Sequence, residues 1–359
     1  MKIPKILVDG HILDGQPQGT TTYLSGLYKA IAELNLAEVY IACCYKESID
    51  KHNLSHKNIR WIKLSTKNKF KRLLFSLPYL EYKLKPDFTH YNYIAPILKF
   101  SKRIVTCHDL LFLDFPKYFS FKYRFQRKLL FYISSKTSEI VSTVSNYSAS
   151  SISKHFSVPL DRILIAPNAI DEGKNLEEIK INKEIYPSKF FIYVSRFEPR
   201  KNQHLLIKAF KKFCENNDKD YKLILVGYPD LDYPELTREL INSETNRILV
   251  LSNISRNELN WLYKNSVASI YPSHGEGFGI PPIEAIAAGG RSYCSNNSAL
   301  TELAEYVNGT FDSYNIEDIE KTLKEATKEI DSDYQANLRE AVINTFSWKK
   351  TAKKFVSSL

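Results

Sequence analysis

Ser273-His274-Gly275-Glu276-Gly277-Phe278-Gly279-Ile280-Pro281-Pro282-Ile283-Glu284-Ala285 is the stretch on which the reading of this chain turns. Just before it, Ala268-Ser269-Ile270-Tyr271 is a short apolar run of the kind that forms a buried strand. Just after it, Ile283, Ile286 and Ala287 recur at helical spacing. Pro281-Pro282 suits the first helical turn, where a missing N–H costs nothing. The order is therefore strand, glycine-rich loop, helix. Three glycines in five residues let the backbone approach a ligand closely, and a helix N-terminus offers unpaired N–H groups to an anion. Glu276 sits in the loop and Glu284 is expected in the first helical turn. Complementing the helix dipole would explain Glu284 alone. It does not explain Glu276, which has no helix to cap. Carboxylates beside a phosphate site repel phosphate but accept hydrogen bonds from sugar hydroxyls, and that combination suits a nucleotide sugar.

Working outward, 359 residues are enough for two domains with cores of their own. Hydrophobic residues make up 43% and charged residues 25%, ordinary values for a folded soluble protein. No apolar run approaches the roughly 18 residues of a membrane span. Asp9 interrupts the early run Ile6-Leu7-Val8, which reads as a first strand and not as a signal peptide. The five cysteines are odd in number and irregularly spaced, so they are expected to be free, mostly buried thiols of a reducing compartment. No pattern resembles paired metal ligands. The net charge of +10 is uneven: residues 1–168 hold 25 Lys/Arg against 12 Asp/Glu, and residues 169–359 hold 25 against 28. A partner that wants positive charge should meet the first half.

Strand-like runs alternate with helical stretches from the start: 5–8, 39–42, 59–62, 104–107, 139–142 and 163–165. The pattern restarts at 190–194 and continues at 223–226, 248–251 and 268–271. This alternation argues for parallel βαβ units in an α/β protein with two doubly wound, Rossmann-like domains. The polar stretch from Asp171 to Ser188 is the expected linker. The domains are then 1–170 and 171–346, with a last helix over 347–359.

Four other stretches carry candidate chemistry. Gly15-Gln16-Pro17-Gln18-Gly19-Thr20-Thr21-Thr22 follows the first strand and reads as a glycine turn with a threonine N-cap. Cys107-His108-Asp109-Leu110 follows a strand end, where a histidine is either a structural hydrogen-bonder or a site residue. Ser195-Arg196-Phe197-Glu198-Pro199-Arg200-Lys201-Asn202 also follows a strand. Its basic residues form either a solvated loop or a phosphate clamp, in which Arg binds bidentately and Lys acts as a point charge. Two Asp-x-Asp strings, 230–232 and 331–333, are read as a turn and a helix boundary and not as cation ligands.

The wording Glu-Gly-Phe-Gly-Ile-Pro-Pro-Ile-Glu-Ala, with seven residues between Glu276 and Glu284, resembles retaining GT-B glycosyltransferases of glycosyltransferase family 4. The resemblance is dense from Ser195 to Glu302 and sparse before residue 100. It implies a GT-B fold whose last helix crosses back to the first domain. In such enzymes Glu276 would address the transferred hexose and Glu284 the ribose diol. Arg196 and Lys201 would hold the diphosphate, with Gly277, Phe278 and Gly279 against the donor. Gly19 would approach the diphosphate or acceptor, and His108 the reacting sugar. Asp109, Ser145 and Asn168 would play lesser parts, and Arg200 is expected to face solvent.

The activity so implied is metal-independent transfer of a hexose from a nucleotide sugar, GDP-mannose by preference, to a lipid-linked saccharide in surface-polysaccharide synthesis. A dTDP-rhamnose or UDP-hexose donor is the nearest alternative. A sugar-nucleotide epimerase stands further off, and a phosphorylase is disfavoured because no lysine has a recognisable pyridoxal phosphate setting. No metal or other cofactor is expected. A basic nucleic-acid binder is the rival of a different class, since Tyr and Phe interleave with Lys in the first half, but no nucleic-acid motif accompanies them.

The basic half is expected to dock on an anionic membrane at the cytoplasmic face. Residues 57–85 carry nine Lys/Arg and one acid, Glu81, while residues 117–136 carry six Lys/Arg, no acid and seven aromatics. The plainer reading has those aromatics filling the core behind an ordinary solvated face.

Overall fold

Apolar runs too short for helices, flanked by turn residues, form strands throughout the chain. The computed structural model describes residues 3–16, 18–170, 186–216, 220–228, 233–241 and 247–359. Most of the expected linker and Asp230-Leu231-Asp232 lie outside the described residues. The chain divides into two compact units, Met1–Asp171 with Phe346–Leu359, and Glu172–Thr345.

The first unit holds seven parallel strands: β1 (Lys5–Asp9), β2 (Glu38–Cys43), β3 (Ile59–Lys63), β4 (Phe88–Asn92), β5 (Lys102–Thr106), β6 (Ile140–Thr143) and β7 (Ile163–Ile165). They lie in the order β3-β2-β1-β4-β5-β6-β7, so the sheet changes direction between β1 and β4. That switch point opens a crevice at the carboxyl ends of the strands. The register sets Val8 opposite His90, and His90 opposite Ile104. β4 is entirely buried although three of its five residues are polar.

The last helix, Trp348–Ser357, packs against the first, Gly19–Glu33, inside this unit. Ile170 bridges to Ser347, and Thr351 Oγ1 donates to the Pro167 carbonyl at 3.1 Å. Trp348 lies over Gly26, where a Cβ would come within 2.2 Å of the indole. The first helix is capped by Gln18, and Thr20–Thr22 lie inside its first turns, so the threonine N-cap is corrected.

The second unit holds β8 (Phe190–Val194), β9 (Lys222–Val226), β10 (Ile248–Leu251), β11 (Ala268–Tyr271), β12 (Ser292–Ser295) and β13 (Gly309–Phe311). All pair in parallel, in the order β10-β9-β8-β11-β12-β13. The switch point here lies between β8 and β11, the two strands that precede the basic loop and the glycine-rich loop. Gly227, just past β9, has φ +158°, and a Cβ there would meet the Ser195 carbonyl at 1.9 Å. Only glycine lets the turn after β8 lie so close to its neighbour.

Asp331 starts the helix Ser332–Thr345, its Oδ1 accepting from Asp333 N at 2.8 Å, which gives the second Asp-x-Asp string a backbone role. All five cysteines are free, and every one except Cys44 is buried. Among the described residues no helix is long and apolar enough to cross a membrane.

Candidate active site

Beyond β8 the chain makes a short 3-10 turn, Pro199–Lys201, which turns both Arg200 and Lys201 inward. Asn202 follows in the left-handed region at φ 61°, and its buried amide donates to the carbonyls of Pro272 at 3.1 Å and Ser313 at 2.8 Å. Backbone contact joins this turn to the loop after β11, His274 N donating to the Arg200 carbonyl at 2.9 Å. The two loops are thus bound together at the switch point, and their side chains meet there.

Glu276 is the centre of that meeting. Its Oε1 accepts from Lys201 Nζ at 2.6 Å and from the Tyr271 hydroxyl at 3.1 Å, and its Oε2 from Arg200 Nη1 at 3.2 Å. Its own N–H donates to Ser298 Oγ at 2.7 Å. Burial pushes the carboxyl pKa up, but the Lys201 and Arg200 charges overcome this and hold it at about 2. Burial pulls the Lys201 ammonium below its ordinary value, with Glu276 working against it. Arg200 also donates to the Gly275 carbonyl and to Glu198. The expectation that Arg200 faces solvent is therefore wrong: the 3-10 turn buries it, and Glu276 and Glu198 share its charge.

Arg196 behaves the other way. Its side chain is 71% exposed and touches Glu198 only at 4.0 Å. Cations and carboxylates thus alternate along one line, Arg196, Glu198, Arg200, Glu276, Lys201, three positive against two negative. Each oxygen of Glu276 can accept two hydrogen bonds. Oε1 is filled by Lys201 and Tyr271, Oε2 receives Arg200, and the buried Ser273 hydroxyl also hydrogen-bonds the carboxylate.

Gly279 caps the helix Ile280–Ala287 with φ +117°. A Cβ there would meet Leu300 Cδ2 at 2.5 Å and Leu303 Cδ1 at 2.9 Å, so glycine is required by both strain and space. Phe278 is buried, and Gly277 lies between it and Glu276. Glu284 is the fifth residue of this helix, one place beyond the first turn expected for it. It is tied to Arg256 Nη1 at 2.7 Å. The structure therefore joins Lys201 to Glu276 directly and Arg196 to them through Glu198, and it gives Glu284 a separate partner.

The first unit places its candidates at its own strand ends. His108, two residues past β5, is buried, with Nε2 3.4 Å from Asn92 Oδ1. Tyr23 meets its ring edge-on at 4.9 Å, and Tyr93 lies 5.4 Å away. Burial depresses the imidazole pKa to about 3, so the ring is neutral at physiological pH. Asp109 accepts from Leu111 N at 3.2 Å and shapes the turn. Gly19 is the first residue of its helix. Ser145 caps the helix Asn146–Phe156, accepting from Ser148 N at 3.0 Å, and Asn168 is buried.

Residues 17–174 match the family described as Glycosyltransferase Family 4, and residues 175–345 the one described as Glycosyl transferases group 1. The chain belongs to these glycosyltransferase families. It is similar to the O-antigen chain mannosyltransferase RfbU of Salmonella typhimurium, 32% identical over 249 residues, which are 68% of this chain and 64% of RfbU. It is also similar to the serotype-specific mannosyltransferase WbdA of Escherichia coli, 24% identical over 267 residues, 70% of this chain. The matched part spans 32% of WbdA, so this chain corresponds to a portion of that longer protein. Among solved structures, a glycosyltransferase from Rickettsia africae superposes with a TM-score of 0.74 at 17% identity, covering 100% of this chain and 98% of that one. Anabaena Alr3699/HepE, in complex with UDP-glucose, does so with a TM-score of 0.75 at 17% identity, covering 99% and 100%. The fold is GT-B.

Several site residues were not singled out from sequence. Tyr271 looked like an ordinary strand aromatic, and Ser298 belonged to a stretch noted only for its wording. Arg256 lies 28 residues from Glu284 and carries no local signal.

Proposed function

We propose that this chain transfers mannose from GDP-mannose, with retention of anomeric configuration and without a metal ion, to a lipid-linked saccharide in O-antigen-type polysaccharide synthesis. The observation that carries the reading is the Lys201–Glu276–Arg200 cluster at the switch point of a parallel sheet. Lys201 and the exposed Arg196 supply charge for the donor diphosphate. Negative charge on that group grows as the glycosidic bond breaks, so the same contacts strengthen in the transition state. Glu276 accepts a hexose hydroxyl, in exchange for part of its own pairing, and Glu284 accepts from the ribose diol, in exchange for part of its pairing with Arg256. Gly277, Phe278 and Gly279 bring backbone close to the donor. In the first unit, Gly19 borders the donor or acceptor, and neutral His108 contacts the reacting sugar as a hydrogen-bonding group and not as a cation. The similarity to the mannosyltransferases RfbU and WbdA supports the choice of sugar.

The same reading places the enzyme at the inner face of the cytoplasmic membrane, held there by its basic unit. Exposed apolar side chains support this. Phe70 is 73% exposed, Phe75 69% and Phe121 77%, so these aromatics do not fill a core. Glu81, the one acid of residues 57–85, is fully buried, accepting from Tyr91 and from Phe100 N, so the exposed charged side chains of that segment are all basic. Basic residues around exposed aromatics are what an anionic bilayer surface attracts.

The test is turnover of GDP-mannose, UDP-glucose and dTDP-rhamnose with a lipid-linked acceptor, with the product's anomeric configuration read by NMR. Release of GDP in step with an α-linked mannoside is expected, with EDTA making no difference. A β-linked product, or turnover of another donor alone, would sink this reading.

A further inference from the structure

The strands of the second sheet lie in the order β10-β9-β8-β11-β12-β13, and the Lys201–Glu276 pair joins the loops that follow β8 and β11. A nucleotide whose diphosphate lies there can extend its base along the strand ends in either of two directions. Past β11 and β13 stand His274 and Tyr314, whose rings already cover each other at 4.1 Å and 9°. On the opposite side stand Tyr228, the second residue past β9, and Asn253, the second past β10. Glu284 decides between the two sides. Its carboxylate, the proposed ribose acceptor, is bound by Arg256 Nη1 at 2.7 Å, and Arg256 opens the helix Arg256–Asn265 that follows β10. Ribose joins diphosphate to base, so a ribose held beside Arg256 sends the base over the ends of β9 and β10.

Tyr228 is 57% exposed, yet it is fixed at both ends. Its hydroxyl donates to Asn253 Oδ1, and its carbonyl accepts at 3.2 Å from the N–H of Phe197, the residue after Arg196. Asn253 is in turn set in the left-handed region, at φ 57°. Among the described residues no other ring or cation stacks on Tyr228. A ring tethered in advance loses little freedom when a base covers it, and stacking accepts any base. We infer that Tyr228 stacks on the base of the donor nucleotide and that Asn253 favours guanine. With Oδ1 engaged by the tyrosine, Asn253 keeps Nδ2 as a donor, and guanine presents two neighbouring acceptors, O6 and N7, where uracil and thymine present O4 alone. A purine also covers more of the ring than a pyrimidine does. This rests on the donor site proposed above and names the residues that select its base.

The test is calorimetric titration of the full chain with GDP, UDP and inorganic pyrophosphate, which has no base. Tyr228→Ala should weaken GDP about tenfold and UDP about threefold, and leave pyrophosphate within about twofold of wild type. Tyr228→Phe, which keeps the ring face, should hold GDP within about threefold of wild type. Asn253→Ala should shrink the preference for GDP over UDP by about threefold or more. Tyr314→Ala should change none of these values. GDP binding undiminished in Tyr228→Ala overturns the inference, and so does its loss in Tyr314→Ala instead. Equal weakening of GDP and pyrophosphate in Tyr228→Ala overturns it too, because the tyrosine would then act only by shaping the basic loop. Lys201→Ala separates this inference from the reading beneath it: it should weaken GDP and pyrophosphate alike, and if it weakens neither, the donor site itself lies elsewhere.

Discussion

Glu276 shows why a buried carboxylate can be both a structural joint and a ligand group. Its ionised form accepts from Lys201, Arg200 and Tyr271, and those contacts hold its pKa at about 2 against an ordinary value of 4.5. A depressed carboxyl pKa stabilises the fold fully above the unfolded value, and the contribution drains away as pH falls through the folded one. For Glu276 the window runs from 4.5 down to about 2 and is worth roughly 3 kcal/mol. Glu276→Gln removes it and leaves two buried cations facing each other, at a cost of about 3 kcal/mol at neutral pH. Urea midpoints from pH 7 to pH 3 check this. The variant should be less stable at pH 7 and should lose less than wild type as the solution is acidified. Parallel curves for the two proteins would show that the carboxylate is not held ionised by its partners.

At the scale of elements, the first and last helices depend on one missing side chain. In an exposed helix Gly→Ala gains up to about 1 kcal/mol of propensity. At Gly26 the new Cβ would lie 2.2 Å from Trp348 Cε2, and overpacking of this kind costs about 1–3 kcal/mol. Crowding wins, and Gly26→Ala should lower the melting temperature and open the chain near Phe346 to proteolysis. In a Trp348→Ala background the same change should be neutral or stabilising. A Gly26→Ala that stabilises the otherwise wild-type chain would mean that the indole does not hold this helix.

The elements also show what could be read in advance. Strands such as Phe190–Val194 and Ala268–Tyr271 announce themselves because short, mostly apolar runs fit a buried strand. β4 does not, since Thr89, His90 and Asn92 look like loop. His90 can be buried only because Tyr28 Oη and Thr106 Oγ1 each lie 2.7 Å from one of its ring nitrogens, and neither partner is near in sequence. The glycine-rich loop and its two glutamates were legible in wording and spacing. The inward turn of Arg200 was not, because it depends on a 3-10 turn and on a carboxylate 76 residues away. Glu284's tie to Arg256 escaped for the same reason.

For the whole molecule, charge and chemistry are divided between the units. The first carries the basic surplus, the exposed aromatics and His108, while the second carries the cluster at its switch point. If that cluster is the donor site, nucleotide binding should stand or fall with the second unit's Lys201. The most direct measurement is a thermal-shift titration of GDP, UDP and dTDP on wild type and on Lys201→Ala, reading the gain on ligand addition and not the absolute melting temperature. At about 100 times its Kd a nucleotide adds about 2.7 kcal/mol of stability. GDP should give the largest gain in the wild type. Lys201→Ala should weaken that binding by about tenfold or more, the loss of one charge-assisted contact. An undiminished gain in Lys201→Ala, or no gain from any of the three nucleotides in the wild type, would contradict the assignment of the donor site to this cluster.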